Sequence, residues 1–124
     1  MDQNTLVAGG QALVKAMDAA SFPPRIAMWV HNMDTDTWKL WLVPPKGHLD
    51  KQDFYRRIAQ IVPQHRAEFG GIDASDTEMV SDTHPAMKGL SGFLKMPGLG
   101  SVQFSGNRFN GFYLPDGIIL RSDL

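Results

Sequence analysis

The sequence predicts an α+β fold: a mixed or antiparallel sheet with an N-terminal helix, a β-hairpin, two further helices and a C-terminal β meander. Three observations carry this reading. Apolar residues recur at helical spacing in Leu6, Val7, Leu13, Val14 and Met17, and again in Phe54, Ile58, Ile61 and Val62. Residues 26–33 and 37–43 are strand-like and flank the turn formers Asp34-Thr35-Asp36. The closing segment, residues 101–124, alternates short apolar runs with Gly-Asn, Asn-Gly and Pro-Asp-Gly. No linker interrupts the chain, so residues 1–124 read as one globular domain.

The first helix is expected over residues 5–20, capped by Asn4 or Thr5 and ended by Pro23-Pro24. Gly9 and Gly10 weaken it by about 1 kcal/mol each relative to Ala, unless a neighbour packs closely there. In the hairpin that follows, a two-residue turn at Thr35-Asp36 pairs Val30 with Trp41 and His31 with Leu40. Trp29, Trp38 and Trp41 then lie on both sides of the hairpin. Pro44-Pro45 stops the second strand and Asp50 caps the second helix, with Asp53 near the positive end of its dipole. Pro63 ends that helix, kinks it or starts a short continuation through Phe69, and Gly70-Gly71 is the firmer stop. A short strand is expected near Glu78-Met79-Val80. Asp82 or Thr83 then caps a third helix with Pro85 in its first turn and Met87, Leu90 and Leu94 on one face, broadened by Phe93.

The meander is placed at residues 101–124. Gly106-Asn107 or Asn110-Gly111 supplies its first turn, and Pro115-Asp116-Gly117 its second. Pairing Leu114 with Ile118 and Phe112 with Leu120 would put these four on one core-facing surface.

Composition bounds the chemistry. Twelve Lys and Arg against 13 Asp and Glu leave a net charge of -1, which gives nucleic-acid binding little support. No apolar run is long enough to cross a bilayer and the polar N-terminus has no basic flank, so a cytoplasmic location is the default expectation, with no membrane partner. The absence of cysteine removes disulfides and thiolate chemistry. His31, His48, His65 and His84 fall on different elements in no compact ligand spacing, so neither a metal nor a cofactor is expected.

Two histidines have acidic neighbours suited to proton transfer: His84 with Asp82, and His48 with Asp50. Helix capping explains both aspartates without invoking catalysis. Asp34, Asp36, Asp73, Asp76 and Glu78 read as turn and solvated residues. Trp41, Tyr55, Arg56 and Arg57 are the candidate partner-binding residues, since large aromatics rimmed by Arg anchor protein interfaces. The expectation is a small protein-binding or regulatory domain, including self-association as a homodimer. The alternative is a small hydrolase or nuclease using His84/Asp82 or His48/Asp50, and a nucleic-acid-binding module using the Arg56-Arg57 and His65-Arg66 groups is the third reading.

Overall fold

A computed structural model describes residues 2–124. The elements follow as α1 (Gln3–Ala19), β1 (Ile26–Asn32), β2 (Thr37–Val43), α2 (Lys51–Ile61), β3 (Thr77–Met79), α3 (Pro85–Phe93), β4 (Val102–Phe109) and β5 (Phe112–Ser122). The strands form one sheet in the order β3-β2-β1-β5-β4, antiparallel except for the β2–β3 pair. The fold is therefore α+β with a mixed sheet. Among the described residues no helix is long and apolar enough to cross a membrane.

Alternation along the strands makes two cores. On one face, Ala27, Trp29, Leu40, Leu42, Met79, Ile118 and Leu120 meet α1, α2 and the 3-10 segment Val62–Glu68 that continues α2. On the other, Ile26, Met28, Val30, Val43 and Ile119 meet Ala86, Met87 and Leu90 of α3. Both faces of β1 are thus buried, as the near-continuous apolar run Ile26 to Val30 requires.

Helix α1 starts earlier than expected because Asp2, rather than Asn4 or Thr5, is its cap, accepting from Thr5 N at 2.8 Å. Its two glycines serve close approach. A Cβ on Gly10 would stand 2.6 Å from Leu120 Cδ1 and 2.7 Å from Trp29 Nε1, and one on Gly9 would meet the Phe69 carbonyl. That notch lets the Trp29 indole donate to the Leu6 carbonyl at 2.8 Å. Asp50 caps α2 as expected, accepting from Gln52 N at 2.9 Å.

The first hairpin is shifted by two residues from the expected register: Val30 pairs with Lys39, and His31 with Trp38. Residues 33–36 form a longer loop because the Asn32 side chain accepts from Asp34 N at 2.9 Å and Asp36 takes a φ of 52°. The tryptophans do occupy both faces, with Trp29 and Trp38 on the α1 side and Trp41 on the α3 side.

The expected meander is a single long hairpin. Its turn is Asn110-Gly111, whose φ values of 52° and 80° suit the two positive-φ positions of a type I′ turn. Strand β5 runs straight through Pro115-Asp116-Gly117, pairing Asp116 with Ser105 and Gly117 with Phe104. Gly117 is not a turn glycine: the Phe104 ring occupies the place its Cβ would take. The predicted core surface is divided accordingly. Ile118 and Leu120 enter the core under α1, Leu114 enters the core under α3, and Phe112, next to the turn, joins neither and is 38% exposed. Within β4, Gly106 has a φ of 60°, and Phe104 and Phe109 on either side of it pack on the same cluster although five residues apart. One further residue, Leu120, is inserted where the partners of Ala27 and Met28 change from Arg121 to Ile119.

Arg121 ties the end of β5 to α1. It is 9% exposed and binds both carboxylate oxygens of Asp18 at 2.8 Å, a contact that raises its already high pKa.

Two outcomes follow. Gly10→Ala should destabilise by about 1–3 kcal/mol, despite a helix-propensity gain of about 1 kcal/mol; equal or higher stability in urea denaturation would refute the notch. Asp18→Asn leaves the Arg121 guanidinium without its carboxylate and, because Asp18 itself is exposed, should cost about 1–2 kcal/mol in the same measurement.

Candidate functional site

Helix α3 is only nine residues long, so it covers only part of its sheet face. His84 begins it: its Nδ1 accepts from Ala86 N at 3.1 Å, a role the sequence had assigned to Asp82 or Thr83. Leu94 ends it in extended conformation. Gly89 admits the tip of the β4–β5 hairpin, since a Cβ there would lie 2.9 Å from Asn110 Cβ. Beyond the last β1–β5 pair, Val30 with Gly117, the hairpin continues without β1 beside it and brings Phe112 to the edge of α3. The Phe112 ring sits 4.7 Å from that of His84 and 6.5 Å from that of Trp41, and Trp41 lies 5.5 Å from His84.

Beside these three rings the sheet face stays open. A hollow of about 320 Å³ is lined by Val30, Met33, Asp34, Lys39, Trp41, Glu78 and Tyr113. A second, of about 250 Å³, shares Trp41 and Glu78 with it and is lined further by Lys51, Ser81 and His84. Together they form a trough across β1, β2 and β3. Met33 and Tyr113 present large apolar surfaces here, 67% and 51% exposed. The Lys39 ammonium is held by the Ser75 carbonyl at 2.5 Å, whereas Asp34 and Glu78 form no ion pair among the described residues.

The residues singled out from the sequence are dispersed. Asp82 pairs with Arg25 at 3.2 Å instead of capping α3, and no hydrogen bond joins it to His84 among the described residues. His48 packs edge-on against Phe22 at 5.4 Å, while Asp50 is occupied by its cap. Trp41 and His84 are brought together in the trough. Tyr55, Arg56 and Arg57 lie on α2, which packs on the opposite face of the sheet from Trp41, although Lys51 at the start of the same helix reaches the second hollow. Tyr55 Oη accepts from Met79 N at 3.0 Å and closes part of the β3 edge. Arg56 and Arg57 both bind Asp53, and Arg57 also lies over the Phe22 ring at 4.9 Å. Among the described residues no three His, Asp or Glu side chains converge as a metal site.

Phe112, Tyr113, Met33 and Glu78 were not anticipated as site residues. The Asn110-Gly111 turn was the one signal that could have found the first two, because choosing it puts them just past the tip of a long hairpin. Comparison with protein-family models, with curated proteins and with solved structures finds no match.

The guanidinium of Arg57, then that of Arg56, holds the Asp53 carboxyl below its usual value of 3.8. A folded-state pKa depressed in this way contributes stability above the unfolded value and loses it as pH falls through the folded one. Asp53→Asn should therefore lower the melting temperature at neutral pH and leave it nearly unchanged at about pH 2; a parallel loss at both pH values would contradict the ion-pair account.

Proposed function

We propose that the chain is a small protein-binding or regulatory domain that holds a segment of its partner in the trough between α3, the hairpin tip and β3. The observation that carries this reading is the open sheet face itself: Trp41, Phe112, Tyr113 and Met33 gather on the part of it that α3 leaves uncovered, beside the helix's N-terminal end. Tryptophan, tyrosine and methionine are the residues from which binding hot spots and adaptable contact surfaces are built. Open apolar surface of this kind, rimmed by charge, is costly to leave in water and is characteristic of interaction sites. The neighbouring polar groups are largely engaged in structure. His84 Nδ1 caps α3 and Asp82 neutralises Arg25, an arrangement that supports recognition over proton transfer.

The test compares the wild-type chain with Tyr113→Ala in native-lysate capture read by quantitative mass spectrometry, with Lys15→Ala on α1 as a distant control. A bound protein should be retained by wild type and Lys15→Ala and reduced at least about tenfold by Tyr113→Ala. Identical capture profiles for all three would count decisively against the trough. Concentration-dependent light scattering shows whether the captured partner is a second copy.

A further inference from the structure

We infer that the larger hollow of the trough takes a lysine or arginine side chain from an apolar stretch of the partner protein, the stem lying against Trp41 and Tyr113 and the cationic head facing Glu78 and Asp34. This rests on the peptide-binding reading above and specifies its chemistry. The walls are aromatic and aliphatic, with buried Val30 as the floor and exposed Met33 as a flank. Such walls accommodate a methylene stem, and aromatic faces attract a cation directly.

The charges select the sign. Two carboxylates, Asp34 and Glu78, line the hollow with no ion-pair partner among the described residues. The one ammonium lining it, that of Lys39, is directed to the Ser75 carbonyl, and the Arg108 guanidinium, which does not line it, lies over the Tyr113 ring at 5.6 Å. His31 also lines the hollow, but its ring stacks on Trp38, which belongs to the other face of the sheet, and bonds Asp36 at 2.9 Å. Lys51 stands in the second hollow, beyond Trp41. An acidic or phosphorylated segment would meet two carboxylates against the single Lys39 ammonium, whereas a basic one gives the unpaired carboxylates a partner.

The experiment selects random decapeptides displayed on phage against the full chain and titrates the recovered peptides by tryptophan fluorescence. Recovered sequences should share a Lys or Arg flanked by apolar residues, and their binding should fall about tenfold with Tyr113→Ala or Met33→Ala. Replacing that Lys by norleucine should weaken binding about tenfold. Glu78→Gln and Asp34→Asn should each weaken the lysine peptide about fivefold while changing the norleucine peptide less than about twofold. Both carboxylates are exposed, and circular dichroism melting verifies that the variants fold. Peptides that depend on Tyr113 but carry no basic residue, or show no coupling to Glu78 or Asp34, overturn the cation inference and leave the trough as a binding site. Recovery of no Tyr113-dependent peptide, or a self-association abolished by Tyr113→Ala, overturns it together with the partner-segment reading.

Discussion

The Trp29 indole, set into the glycine notch of α1, is the contact on which the arrangement of this molecule depends. It sits on the central strand, is 1% exposed, and donates to the Leu6 carbonyl from a position that any side chain at residue 10 would obstruct. A tryptophan buried so deeply must satisfy its N–H, and the helix backbone is the acceptor within reach. The contact fixes α1 over β1. With α1 in place, Phe69 and Ile72 close against Gly9 and the 3-10 continuation of α2 joins the same layer.

The opposite face is covered less completely, and this imbalance makes the site. One layer has a 17-residue and an 11-residue helix, the other a single helix of nine. The β4–β5 hairpin supplements α3 by bringing Phe109 and Leu114 into its core and Phe112 beside His84, with Gly89 allowing the approach. What remains beyond is the trough. The β3 edge beside it is shielded, with Tyr55 over Met79 N and Lys39 on the Ser75 carbonyl, so recognition falls to the side chains on the sheet face.

Several conspicuous polar residues are absorbed by structure. Asp50 and His84 cap helices, Asp82 neutralises Arg25, and Asp53 binds two arginines. Each relieves an unpaired backbone donor or an uncompensated charge. Glu78 and Asp34, which the sequence offered only as members of acidic stretches, are the carboxylates left facing the hollow.

Local chemistry alone determined where the helices lie, which faces of α2 and α3 turn inward, the cap at Asp50, and the presence of a hairpin before Pro44. Each depends on residues a few positions apart, where side-chain spacing and backbone preference act directly. The candidate site was legible only in Trp41 and His84. Tertiary structure decided the choice between two well-formed turns, the two-residue shift between β1 and β2, and the parallel docking of β3 on β2. Turn preferences differ by about 1 kcal/mol, whereas seating Ile118, Ile119 and Leu120 in a strand shared by β1 and β4 buries apolar side chains at about 1.5–3 kcal/mol each. That burial carried β5 through Pro115-Asp116-Gly117, moved the tip to Asn110-Gly111, and set Phe112 and Tyr113 beside Trp41, a juxtaposition of residues 71 and 72 positions apart that no local pattern encodes.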